Sequence, residues 1–112
     1  MNEHDHRYFE RLIKVRLASL EAESASGHDA QAIVELDQQA VGRLSRMDAL
    51  QNQAMAKAQQ ARRDVETRRL QTALSRIAEG EYGYCEDCGD LIARGRLELD
   101  LAASKCVSCA SD

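Results

Sequence analysis

The chain has 112 residues, with no Pro, no Trp, one Phe and three Tyr, and 44% hydrophobic residues against 4% aromatic. That composition favours helix over a β-sandwich or barrel, which draws on β-branched and aromatic residues, and it leaves few large side chains for the deep core of a compact enzyme. Charged residues make up 30% of the chain for a formal net charge of −4, and no stretch approaches the roughly 20 apolar residues of a membrane span.

The opening, Met1-Asn2-Glu3-His4-Asp5-His6, is polar and reads as neither a signal nor a transit peptide. A cytoplasmic location is therefore expected, where thiols stay reduced. From Glu3 to about Ser24 there is no Gly, and Phe9, Ile13, Leu17 and Leu20, flanked by Leu12, recur at helical spacing. This predicts a first helix over about 3–24 with one apolar face. The run Ser24-Ala25-Ser26-Gly27-His28-Asp29 breaks the pattern and reads as a turn or loop. Residues 30–35 suit a short helical piece, and 37–42 are ambiguous, so 25–44 is expected to form the tip of a hairpin.

Ser45-Arg46-Met47-Asp48 places a capping residue three positions before an acid, which suits a helix start. Nothing interrupts the chain from there to Glu79, and Gly80 is a suitable C-terminal stop. Met47, Ala54, Ala58, Ala61 and Val65 form a heptad-like seam, resumed by Leu70, Leu74 and Ile77. A helix over 45–79 would be roughly 50 Å long, too long to stand alone in so short a chain. The expected fold is mainly α: an antiparallel helical hairpin, or coiled coil, over 1–79 in which the alanine seam packs against the first helix. A small lobe over 80–112 follows it. Charge is uneven along this layout: 1–42 carries four basic and eight acidic residues, 43–78 eight and three, 79–112 three and eight. A basic middle between acidic ends suits helices that attract one another and suits DNA binding poorly.

The lobe holds the chemistry. Cys85 and Cys88 form one Cys-x2-Cys pair, Cys106 and Cys109 a second, with seventeen residues between them. Each pair lets two thiolates face one ion, and two pairs complete the tetrahedral sulfur shell of a closed zinc site. Gly89 follows the second cysteine, where a tight knuckle needs positive φ. Two disulfides, a redox pair and an iron–sulfur cluster are the competing readings. Four sulfur ligands leave no open position, so one zinc here would be structural. Leu91, Ile92, Leu97, Leu99 and Leu101 are the apolar residues available to a lobe that would need the ion to fold. His4 and His6 read as solvated. No nucleophile–base set, phosphate loop or mixed His/carboxylate cluster appears, so no enzyme is expected.

The run Tyr82-Gly83-Tyr84-Cys85-x2-Cys88-Gly89, then Ile92, Arg96-Leu97 and Cys106-x2-Cys109, after a long helical hairpin, resembles the DksA/TraR family of C4-type zinc finger proteins. The resemblance implies a bacterial, monomeric transcription regulator that binds RNA polymerase directly and not specific DNA. In that family a coiled-coil tip enters the polymerase secondary channel and places acidic side chains near the catalytic centre, in some members with the alarmone ppGpp at the polymerase interface. The Asp-x-x-Asp-x-Ala tip of familiar members is missing, and Leu101 stands where they have Pro. The nearest tip candidates are Asp37 and Asp48, with Arg43 and Arg46 as contacts to acidic channel walls; for Asp48 a helix-capping role competes. The alternative to polymerase regulation is a zinc-stabilised helical module of the same fold serving another protein partner.

Overall fold

The structure, a computed structural model, describes the backbone of residues 2–40 and 43–110 and the side chains of residues 2–26 and 46–110. Among the described residues there are four helices: α1 (Glu3–Ala40), α2 (Arg43–Glu79), α3 (Arg94–Leu99) and α4 (Val107–Ala110). The first two form the antiparallel hairpin that the composition favours, and the short helices belong to the C-terminal lobe. No β-strand occurs among the described residues beyond one isolated antiparallel bridge, Tyr84 to Leu91.

Helix α1 is capped by Asn2. The Asn2 side-chain oxygen accepts from the Asp5 N–H at 2.9 Å, and the His6 N–H donates to the Asn2 carbonyl. Glu3 and Asp5 in the first turn suit the positive end of the helix dipole. The helix then runs through the Ser24–Asp29 stretch to Ala40, where a loop over 25–44 was expected. Ser24 does not act as a turn residue: its hydroxyl oxygen accepts from the Gln60 amide at 3.0 Å, so it serves the contact between the helices. A mid-helix Gly costs about 1 kcal/mol, and at Gly27 the helix tolerates it. Helix α2 begins at Arg43, which places Ser45 and Asp48 inside it. The Ser45–Asp48 capping box is thereby corrected.

The chain divides into two compact units, 1–17 with 66–112, and 18–65. In the first, Phe9 and Ile13 of α1 and Leu70 and Ala73 of α2 are buried together with the lobe's Tyr82, Ile92 and Leu97. The rings of Phe9 and Tyr82 meet at a tilt of 50°, 5.7 Å between centroids. Arg16 and Glu66 join the helices through two hydrogen bonds, 2.6 and 3.1 Å. In the second unit, Leu20 and Ala49 are buried, and Gln60 bonds to Ser24 across the pair.

These contacts correct the register of α2. Ala54, Ala58 and Ala61 are exposed, as are Met47 and Val65, so the seam is not the packing face. The face turned to α1 carries Ala49, Gln60 and Glu66, then Leu70 and Ala73. Its middle third is polar. Gln60 and Glu66, each half-buried, make hydrogen bonds across the helix pair, so a stretch that reads as polar in sequence is part of the contact face.

Candidate metal centre

The lobe begins where α2 stops. Gly80, at φ 77°, turns the chain out of the helix; its N–H reaches the Ile77 carbonyl and the Glu81 N–H the Arg76 carbonyl at 2.8 Å. That pair of bonds is a Schellman stop, which a residue with a Cβ would strain. Arg76 itself reaches forward, donating to the carbonyls of Glu81 at 3.1 Å and Tyr84 at 2.6 Å. The residue before Cys85 is thus held by the last turn of α2.

A small backbone hairpin carries the first cysteine pair. The Ile92 N–H donates to the Gly83 carbonyl at 2.8 Å, the Cys85 N–H to Asp90 at 2.7 Å, and the Gly89 N–H to Cys85 at 3.0 Å. Gly83 and Gly89 both take positive φ, 91° and 78°. Of the second pair, Cys109 sits on α4 and Cys106 immediately precedes it, with the Ala110 N–H donating to the Cys106 carbonyl. Two contacts join the pairs, Glu86 N–H to the Ser104 carbonyl at 2.9 Å and Lys105 to Asp87 at 3.3 Å, and Arg96 Nε of α3 donates to the Lys105 carbonyl at 2.9 Å.

The four sulfurs of Cys85, Cys88, Cys106 and Cys109 all lie within 4.8 Å of one another. None is in a disulfide, and the Cys88 and Cys106 Sγ atoms are 3.7 Å apart. Sulfurs about 2.3 Å from a central zinc would be about 3.8 Å from each other along a tetrahedral edge. The donor set therefore fits zinc in both number and spacing. Its charge chemistry fits as well. The backbone N–H groups of Cys88 and Cys106 point at the Cys85 sulfur and lower its pKa to about 6, which favours thiolate. Cys109 is pushed well above the ordinary thiol range, chiefly by its contact with Cys106 and then Cys85. Without a cation, thiols this close cannot all ionise; a divalent ion makes four thiolates favourable. With four protein sulfurs the shell is closed to water and substrate, so the ion's contribution is structural.

Residues 80–112 match the family model of the prokaryotic dksA/traR C4-type zinc finger. The lobe is similar to that zinc finger in sequence. The likeness to DksA extends beyond the finger as a likeness of fold: the structure of transcription factor DksA2 from Pseudomonas aeruginosa matches with a TM-score of 0.88 at 20% identity, covering 98% of this chain and 83% of its own. No curated protein sequence matches the chain.

The zinc finger is packed differently from the expected core. Ile92 and Leu97 are buried, whereas Leu91 and Leu99 are 59% and 92% exposed. Tyr82, Ala102 and Ala103 take their places. Tyr82 is buried at 1% exposure, donates its hydroxyl to the Leu101 carbonyl at 2.7 Å, and has its pKa raised to about 12 by that burial. Arginines that carry no motif tie the finger to the helices. Arg94 binds Asp5 at 2.7 Å and Glu98 at 3.1 Å, and its guanidinium lies 5.2 Å over Tyr8 and 5.4 Å over Phe9. The Arg94 hydrogen bond holds the Asp5 carboxyl below its usual range. Arg69 pairs with Asp100 at 2.9 Å, and Asp100 also accepts the Ala102 N–H.

The expected tip residues do not form a described cluster. Arg46 and Asp48 are exposed on α2, and positions two apart lie on different sides of a helix. The side chains of Asp37 and Arg43 lie outside the described residues.

Proposed function

We propose that this protein is a zinc-stabilised transcription regulator that binds RNA polymerase directly, through its secondary channel, and acts there in the manner of DksA and TraR. The observation that supports the reading is the coincidence of a dksA/traR-type finger with a DksA2-like fold over 98% of the chain. Cys85, Cys88, Cys106 and Cys109 hold one structural zinc, and the finger fixes the base of the hairpin. Asp37, Arg43, Arg46 and Asp48, at the other end of α1 and the start of α2, meet the channel. A carboxylate brought near a metal-centred active site perturbs it electrostatically. The partner is protein and not specific DNA, the regulator is not itself an enzyme, and its place of action is the cytoplasm. Modulation by ppGpp at the polymerase interface belongs to the same reading.

Purified, zinc-loaded protein mixed with core RNA polymerase should co-elute with it at micromolar concentration. Absence of binding would overturn the reading in favour of a helical module of the same fold with another protein partner. Given binding, Asp48→Asn should leave affinity nearly unchanged, since one tip side chain is a small share of the contact, while shortening or lengthening of open-complex lifetime is lost. Asp48 lies within α2 and not at its cap, so thermal stability should be unmoved by the same substitution.

A further inference from the structure

Ten large apolar side chains are exposed among the described residues, and four of them, Met47, Leu50, Met55 and Val65, lie in a short stretch of α2. Three of these share one side with the alanines. At 3.6 residues per turn, Met47, Leu50, Ala54, Ala58, Ala61 and Val65 fall within about 80° of arc. All six are exposed. The face that meets α1, centred on Ala49 and Gln60, is about 130° away around the helix, so packing within the hairpin does not account for the stripe. It has heptad-like spacing, small residues at its centre that admit close approach of another helix, and larger residues at its ends.

Its flanks carry charge of one dominant sign. Arg46 and Lys57 border one side, where Asp64 shares the angular position of Arg46, and Arg62 borders the other; all four are exposed, so cations outnumber the acid three to one. Residues 43–65 hold five Arg or Lys against two acids, Asp48 and Asp64, and Asp64 accepts a hydrogen bond from Gln60. A second copy presenting the same stripe would bring these cations against one another, and like charges across a helix pair act against association. A helix with apolar residues in register and Glu or Asp on its flanks satisfies both features.

We infer that the outer face of α2 between Met47 and Val65 is a docking surface for an acidic amphipathic helix of a protein partner. The partner's apolar residues sit on the alanine centre of the stripe, and its carboxylates face Arg46, Lys57 and Arg62. The inference stands on this surface alone and does not require the partner to be a polymerase.

The test uses the full zinc-loaded chain and a fluorescent synthetic helix of about 25 residues with leucines at heptad positions. One peptide carries Glu on its flanks and a second carries Lys. Anisotropy should show saturable binding of the Glu peptide, weakened by salt, and at least about tenfold weaker binding of the Lys peptide, a difference of about 1.4 kcal/mol. Ala58→Glu, which blocks the stripe, and Lys57→Glu, which reverses a flank and leaves the stripe whole, should each weaken the Glu peptide about tenfold without changing the melting temperature. Equal binding of the two peptides, no binding of the Glu peptide, or unaltered affinity in both variants overturns the inference. So does sedimentation of the wild-type chain as a dimer that Ala58→Glu converts to monomer, because a second copy would then be the occupant. Binding of the wild-type chain, but not the Ala58→Glu chain, to phosphatidylglycerol vesicles in preference to the Glu peptide overturns it in favour of a lipid surface.

Discussion

Single residues fix the zinc finger, and the cysteines are only part of that work. Paired Cys-x2-Cys spacing is legible in sequence because knuckle geometry is local, and the four sulfurs converge as the spacing requires. Tyr82 was not legible as a core residue. Its position just before a knuckle gives no hint that its ring meets Phe9, seventy-three positions earlier, at 5.7 Å. Substituting any one of the four cysteines by Ser should reduce bound zinc from one equivalent to a small fraction by metal analysis and unfold the lobe, since zinc contributes on the order of 10 kcal/mol in comparable sites. Tyr82→Phe should destabilise the protein by about 1–2 kcal/mol in chemical denaturation, because it strips the Leu101 carbonyl of its partner. The folded-state pKa of Tyr82 is about 12, above the ordinary 10.0. A phenol that must stay neutral when folded contributes fully below the unfolded value and loses that contribution as pH rises through the folded one. Stability should therefore fall between about pH 10 and 12, and Tyr82→Phe should lack that part of the fall.

At the scale of the helices, large and small apolar residues differ as signals. Phe9, Ile13 and Leu20 were legible because each contributes about 1.5–3 kcal/mol on burial, enough to dictate a face. Alanine contributes little and is also the best helix former, so an alanine stripe marks a helix without marking its inside. The side of α2 that meets α1 instead uses the half-buried Gln60 and Glu66, whose polar ends bond to Ser24 and Arg16. Hydropathy periodicity cannot see that exchange. The corrected register predicts a contrast. Ala73→Leu, at a site 3% exposed, should cost about 1–3 kcal/mol through overpacking, whereas Ala58→Leu should stay within about 0.5 kcal/mol of wild type. Parallel urea melts of the two variants decide it, and the opposite order would restore the alanine seam. The Glu66 carboxyl is held below its usual pKa, first by its hydrogen bond to Arg16. Its contribution is present above the unfolded-state value of about 4.5 and is lost as pH falls through the lower folded value. Glu66→Gln should therefore flatten the acid side of the stability profile.

For the whole molecule, the question is how far the zinc finger supports the helices it joins. Phe9 and Ile13 of α1, Leu70 and Ala73 of α2, and Tyr82 and Leu97 of the finger are buried in one unit, and Arg76, Arg94 and Arg69 cross from helix to finger within it. Composition and cysteine count suggested two parts joined end to end, because neither shows which side chains a lobe shares with its neighbours. The shared core means that zinc loss does not stop at the lobe. Chelation removes the only ion that lets four crowded thiols ionise together, the knuckles open, and Tyr82 leaves Phe9. All three tyrosines, Tyr8, Tyr82 and Tyr84, belong to this unit, and there is no Trp to mask them. Adding a chelator should therefore change tyrosine emission and lower hydrogen-exchange protection in residues 3–17 and 66–79 as well as in 80–110. Far-ultraviolet circular dichroism should keep most of its helical signal, since α1 and α2 account for 38 and 37 residues and the finger's helices for ten. Unchanged protection of 3–17 and 66–79 after complete zinc removal would show that the helices hold their base without the finger, and the Phe9–Tyr82 contact would then carry little of the stability. Restoring zinc should return both emission and protection, which distinguishes loss of the ion from irreversible oxidation of the thiols.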